Sequence, residues 1–201
     1  MARSKAFNPE EVLESALQLF WTKGYEQTSM QDLVDAMGIN RGSLYDTFGD
    51  KRQLYRLAMD RYLDWYTLRD VRLAMETDEF SPAAQLSLLF DRLAEEGEGV
   101  NRRRGCLLTN TITELGHRDP EITEQVAAGI RRVEDTLTEL IEKGQELGEF
   151  TSTEDARALA RFLTNTIQGM RVLTRVYGDR KRLAEIARVA LSTLTPKAGL
   201  H

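Results

Sequence analysis

The sequence predicts an all-α protein in two parts, a small helical head over residues 1–52 and a larger helical bundle over residues 53–201. Three observations predict it. Strand-forming runs are hard to find, while Ala, Leu, Glu and Arg, all good helix formers, dominate the composition. Apolar residues recur three and four positions apart in segment after segment. Cap residues bracket those segments, with Asn8-Pro9, Ser81-Pro82 and Asp119-Pro120 at starts and Gly24, Gly38 and Gly178 at ends. The division into two parts follows from length, since 201 residues exceed the usual single domain.

Composition narrows the class. A hydrophobic content of 41% beside 29% charged residues describes a globular protein with a sizeable core. Met1 to Asn8 is polar and basic, without the apolar stretch of a secretory leader, and no apolar run approaches the roughly 18 residues of a membrane span. The expectation is a cytoplasmic protein with no membrane partner. Its single cysteine, Cys106, cannot form an internal disulfide and suits a reducing compartment.

In chain order, Arg3 and Lys5 lie on a short arm, which reads either as an unstructured start or as a phosphate or minor-groove contact. Helix one carries a stripe of Val12, Ala16, Leu19 and Phe20 up to Gly24. The next helix opens at Thr28 or Ser29, with Gln31 or Asp32 completing a capping box. Leu33, Val34 and Met37 share one of its faces, and Gly38 ends it. After Ile39, Asn40 caps a short helix from Arg41 to about Thr47 whose only anchors are Leu44 and Phe48. Its first turn shows Arg41, Gly42 and Ser43 to the outside, the layout a helix-turn-helix needs to read DNA.

The segment Gly38-Ile39-Asn40, then Ser43-Leu44-Tyr45, Phe48 and Lys51 closely resembles the signature of the TetR family of bacterial transcriptional regulators. The resemblance covers about the first quarter of the chain, and the helical remainder is compatible with it. It implies a homodimer formed through the last two helices, an effector cavity in the C-terminal part, and a double-stranded DNA operator as partner. On this reading Asn40, Arg41, Ser43, Leu44 and Tyr45 contact DNA, with Arg41 suited to pair bidentately with guanine. Gly42 lets the helix approach the backbone. By resemblance, Tyr45 and Lys51 reach phosphates from either side of the groove, and Thr28 or Ser29 does so at another helix start.

Beyond the head, helix four is predicted from Asp50 to about Glu76 along Leu54, Leu57, Ala58, Tyr62, Trp65 and Leu68. Helix five follows Ser81-Pro82, and helix six runs from about Cys106 to Leu115. Helix seven starts at Asp119-Pro120 and continues to Gly144 or Gly148. Helix eight, capped by Ser152 with Asp155, carries an apolar band wider than one core stripe needs. Helix nine stops before Pro196.

Charge sets a condition on DNA binding. Over residues 1–56, seven basic residues face eight acidic ones, a net charge of −1. Affinity must therefore come from local placement and from two copies acting together.

Cys106 follows Arg102, Arg103, Arg104 and Gly105 at a predicted helix start. Cations and a helix dipole both favour a thiolate, so the residue reads as a redox or electrophile sensor, as in a subset of the resembled family, or as a small apolar core residue. His117 with Glu114 has the Glu-x-x-His spacing of helical di-iron proteins, but the one other histidine is His201, so no metal and no cofactor is expected. Tyr62, Trp65, Tyr66, Leu89, Phe90, Leu107, Ile112, Phe162, Thr166 and Met170 fall on helices that enclose the resembled family's cavity; any of them also reads as plain core. No nucleophile or phosphate-cradling motif appears, so catalysis is not expected. The function indicated is a repressor released from a palindromic operator by a small-molecule, electrophile or oxidant effector. The competing reading is a helical binding protein or enzyme with a vestigial helix-turn-helix.

Overall fold

Polar side chains accepting backbone N–H groups set most of the helix starts in the computed structural model, which describes residues 7–67, 80–96, 98 and 100–196. Helix α1 spans Pro9–Lys23, with Asn8 Oδ1 accepting from the Glu10 N–H at 3.0 Å. Helix α2 spans Met30–Met37, and Ser29 rather than Thr28 is its cap. Ser29 Oγ accepts from the Asp32 N–H at 3.1 Å while the Asp32 carboxylate accepts from the Ser29 N–H at 2.7 Å. There follow α3 (Arg41–Phe48), α4 (Lys51–Tyr62), α5 (Pro82–Glu95), α6 (Leu107–Leu115), α7 (Pro120–Glu146), α8 (Ala156–Thr174) and α9 (Arg180–Ser192). Among the described residues there is no strand, which agrees with the all-α expectation.

Two elements depart from the sequence reading. Asp155 alone caps α8, accepting from the Ala158 N–H at 2.9 Å, and Ser152 takes no part in it. Helix α4 does not continue regularly: Leu63–Thr67 winds as a π-helix. The α4 stripe that packs inward is Leu54, Tyr55, Ala58, Met59, Tyr62 and Leu63, which leaves Leu57 and Trp65 exposed. Residues 68–79, including Leu68 and the expected end of that helix, lie outside the described residues, as does the arm with Arg3 and Lys5.

Two apolar cores result. The first joins α1 to α4 with Cys106, Leu107, Leu108 and Leu115 of the α6 region and with Ile122 and Val126 at the start of α7. The second joins α5, the later part of α7, α8 and α9 around Phe90, Leu137, Leu163 and Met170. Helix α7 contributes to both, which its 27 residues allow, since they span about 40 Å. At Gly129 a Cβ would lie 2.6 Å from Leu63 Cδ1, so glycine there lets α7 approach the π-helical turn closely.

The head is held on this frame by polar contacts. Arg52 Nε and Nη2 donate to the two Asp119 carboxylate oxygens at 2.7 and 2.8 Å. Glu114 accepts from the N–H groups of Tyr25 at 3.0 Å and Glu26 at 2.7 Å, so its carboxylate is committed to the backbone after α1. Thr111 Oγ1 donates to the Leu107 carbonyl, which makes Tyr55 the donor in their buried 2.7 Å contact. The Trp21 Nε1–H donates to the Gly105 carbonyl at 2.8 Å.

The Arg52 pair makes stability depend on acid. The Arg52 guanidinium holds the Asp119 carboxyl down to about 2, below the usual carboxylate range. A depressed folded-state value means that the contact stabilises fully above the unfolded value of about 3.9 and is lost as pH falls through about 2. Asp119 also caps α7, accepting from the Ile122 N–H at 3.1 Å. Asp119→Ala should therefore cost about 2 kcal/mol at pH 7, roughly 1 from the cap and 1 from the pair. Denaturant melts at pH 7, 4 and 2.5 should show that cost shrinking toward the acid end; a cost that does not change with pH would overturn the assignment.

Candidate nucleic-acid interface

The α2–turn–α3 unit is built from local rules. Gly38, at φ 64° and ψ 23°, takes the left-handed conformation and its N–H donates to the Val34 carbonyl, closing α2. Asn40 Oδ1 accepts from the Ser43 N–H at 2.8 Å, which opens α3 and turns Asn40 to this backbone. Leu33 and Met37 of α2 and Leu44 and Phe48 of α3 are buried in the first core. They clamp α3 by one side and leave the other side to solvent.

The outer side of α3 carries Arg41, Gly42, Tyr45 and Asp46, all exposed. Arg41 and Tyr45, four apart, share a face, and the Arg41 guanidinium carbon lies 5.9 Å from the Tyr45 ring centroid. A Cβ at Gly42 would meet only Asn40 Oδ1, at 3.3 Å, so the surface there is open to a close-approaching backbone. The first turn of α3 holds no acidic residue, so its positive end is unopposed there. Ser43 is half-buried and Ser29 exposed.

Two members of the expected contact set are corrected. Leu44 is fully buried, and Thr28 is fully buried with its hydroxyl donating to the Gly24 carbonyl at 2.5 Å. Both side chains face the core side of their segments and are absent from the outer surface. Lys51, in the first turn of α4, is half-buried with Nζ 4.3 Å from the Tyr25 ring centroid. Tyr25 is a residue the sequence reading missed. It stacks on Phe20 and tilts against Tyr55, so it fixes the Lys51 stem from beneath. The available signal was a lone aromatic directly after the Gly24 helix stop.

The expected effector residues do not converge. Tyr62 and Leu107 belong to the first core, and Leu89, Phe90 and Met170 to the second. Trp65, Ile112 and Phe162 are exposed, and Tyr66 and Thr166 half-buried. Ile112 lines an apolar groove of about 250 Å³ with Leu108, Val126 and Ile130, whereas Phe90 lines a separate cleft of about 510 Å³ between α5 and α9. Helical spacing marks an apolar stripe but not what the stripe faces, which is why ten residues on suitable helices fell into different places. Tyr66 instead completes a polar cluster, its hydroxyl donating to Glu14 at 2.6 Å. Against the burial that would raise it, hydrogen bonds from Tyr66, Arg61 and Gln18 hold the Glu14 carboxyl below its ordinary value.

Cys106 is buried and sits in the first core, against the Tyr62 hydroxyl. A fast-reacting thiol needs an accessible sulfur, and here the α6 start turns it inward. Of the two readings of Cys106, its burial favours the core position, at the floor of a third cleft that Trp21 and Arg104 also line. No helix among the described residues is long and apolar enough to cross a membrane.

Comparison with known proteins agrees with this geometry. Residues 12–58 match the family model for bacterial regulatory proteins of the tetR family, and residues 82–190 match that for the tetracyclin repressor-like C-terminal domain. The chain is 31% identical over 189 residues to the HTH-type transcriptional repressor ComR of Escherichia coli (strain K12), covering 94% of this chain and 90% of that protein. It is 32% identical to YezE, an uncharacterized HTH-type transcriptional regulator of Bacillus subtilis (strain 168), over 96% of this chain and all of the relative. A cysteine-substituted form of the TetR family transcriptional regulator CifR, solved with 26-base-pair double-strand operator DNA, superposes with a TM-score of 0.81 at 25% identity, covering 96% of this chain and 100% of that one. With both family models matched and a repressor aligned over nearly its whole length, the chain belongs to the TetR family of bacterial regulatory proteins and is a DNA-binding transcriptional regulator.

Proposed function

We propose that the chain is a homodimeric repressor that holds a palindromic operator with two copies of α3 and leaves it when a small molecule binds the C-terminal part. The observation that carries this reading is the outer face of α3, where Arg41 and Tyr45 project from a helix clamped by Leu44 and Phe48. Residues 1–52 are the DNA-reading unit and residues 53–201 the effector and dimerisation unit. The repressor role is supported by the likeness to ComR, a transcriptional repressor, and operator binding by the likeness to CifR solved with its operator DNA.

Dimerisation through α8 and α9 is supported by what α8 leaves uncovered. Phe162 and Val176 are large exposed apolar residues on or just past this helix, and Gly169 between them has open space in front of it. A stripe of this kind marks a surface that associates. Two heads held apart at a set distance then read two half-sites, which offsets the weak charge of one head. An effector that prefers a different spacing lowers operator affinity by that preference.

The test is binding to the DNA flanking the chain's own gene, by footprint and by gel shift against random duplex. Arg41→Ala should lower operator affinity by about 1–3 kcal/mol per half-site while leaving random DNA nearly unchanged. Lys51→Ala should weaken both alike and reduce the salt slope by about one per head. Equal losses on both DNAs for both variants would overturn the assignment of roles. Absence of any footprint at low salt would instead favour a helical binding protein with a vestigial head.

A further inference from the structure

The third cleft, about 440 Å³ in volume, opens between the end of α1, the length of α6 and the end of α8. Its walls combine Trp21 and Val172 with Lys23, Arg103, Arg104 and Arg175, and among the described residues Glu114 is the one acid that lines it. The charges there are poorly matched by the protein itself. Glu114 is occupied by the Tyr25 and Glu26 N–H groups, and Lys23 is paired with Asp32 at 2.6 Å. Of the other three cations, Arg104 and Arg175 have neutral contacts. Arg104 stacks on Trp21, with its guanidinium carbon 5.4 Å from the ring centroid, and donates to Gln18. Arg175 Nη1 donates to Asn110 Oδ1 at 2.9 Å, and its stem lies against Gly105, where a Cβ would sit 2.6 Å from Arg175 Cδ. Arg103 is exposed at the rim.

Each guanidinium carries five N–H donors, and one neutral acceptor leaves most of them for another partner. Three like charges around one concavity also repel, which a bound anion would relieve. At the floor α6 begins at Cys106 with no side chain capping its first turn, which adds the positive end of a helix. Trp21 and Val172 supply apolar wall beside these donors.

We propose that this cleft is the effector site and that it takes a small organic carboxylate, its charge held by Arg103 and Arg175 and its apolar body laid on Trp21 and Val172. The inference rests on the ligand-released repressor reading and adds to it the place and chemical class of the ligand. Coupling follows from the walls. Trp21, Lys23, Gly24 and Gln27 belong to the head, whereas Asn110, Val172 and Arg175 belong to the bundle. A ligand that bridges them favours one placement of the head over another.

The test uses the full-length protein without DNA, measured by titration calorimetry at constant ionic strength. The probes are benzoate, indole-3-acetate and octanoate, each beside its neutral primary amide. At least one carboxylate should bind with a Kd below about 1 mM, and its amide about tenfold or more weakly. Arg103→Gln combined with Arg175→Gln should weaken the carboxylate about tenfold or more, while the melting curve stays that of a folded protein. The single variant Arg103→Gln, exposed and unbonded among the described residues, gives the same direction with no risk to folding. Operator binding of the same preparation without ligand is recorded in parallel, so that failure of the cleft and failure of the repressor reading are told apart. No binding by any carboxylate, equal binding of the amide, or unchanged binding by both variants would overturn the site.

Discussion

Phe162→Glu combined with Val176→Glu should convert the protein to monomers and lower operator affinity by about 10²–10⁴-fold. Both positions are exposed in the single chain, at 43% and 66%, so nothing in the fold of one subunit requires them to be apolar. Placed across a two-fold interface they bring like charges together in a water-poor seam, which opposes association. Operator affinity falls because the second head then binds as a separate event, and one head with its near-balanced charge holds DNA poorly. Sedimentation would read the mass and gel shift the affinity, with circular dichroism confirming that the helices persist. A variant that stays dimeric would move the interface elsewhere on the surface.

The second large effect concerns a residue that does not touch DNA. Leu44 is fully buried between α2, α3 and α1, and Leu44→Ala should destabilise the protein by about 2–5 kcal/mol. Against a total of about 5–15 kcal/mol this is enough to loosen the head. Arg41→Ala, on the exposed face, should leave stability within about 0.5 kcal/mol of the parent. Both variants lose operator binding, but an osmolyte that favours compact states restores only Leu44→Ala. Rescue of Arg41→Ala, or a stable Leu44→Ala that still fails to bind, would reverse the roles given to these two residues.

The helix-turn-helix was legible because its determinants are neighbours in sequence. The Ser29–Asp32 box, the left-handed Gly38 and the Asn40 cap each act within three or four residues, and each appears in the structure as its residue type requires. The same locality explains Leu44. Its signature position was read correctly, but whether it faces solvent or α1 is a matter of which side of α3 packs down. The π-helical turn at Leu63–Thr67 had no local signal of comparable strength, since no Pro or Gly falls within it. It turns the register of the α4 stripe, so Trp65 faces outward although its spacing from Tyr62 places it on a plausible inner face.

Cys106 shows the limit most clearly. Three arginines before it and a helix after it are local facts of the chain. Whether the sulfur meets solvent depends on Tyr62, forty-four residues earlier in the chain, lying against it. Arg104 stacks on Trp21 and donates to Gln18, Arg103 lines the open cleft, and Arg102 lies against Gly178.

By itself the sequence determined the all-α class, the helix starts, the reading helix and its exposed first turn, since caps, glycines and helical spacing act over one turn of chain. Only the tertiary structure decided that α4, α6 and α7 share a core with the head, that Glu114 and Asp119 secure it, and that Arg103 and Arg104 meet the distant Arg175 at one cleft. Those outcomes depend on side chains tens of residues apart meeting in space, and no local spacing encodes which faces will meet.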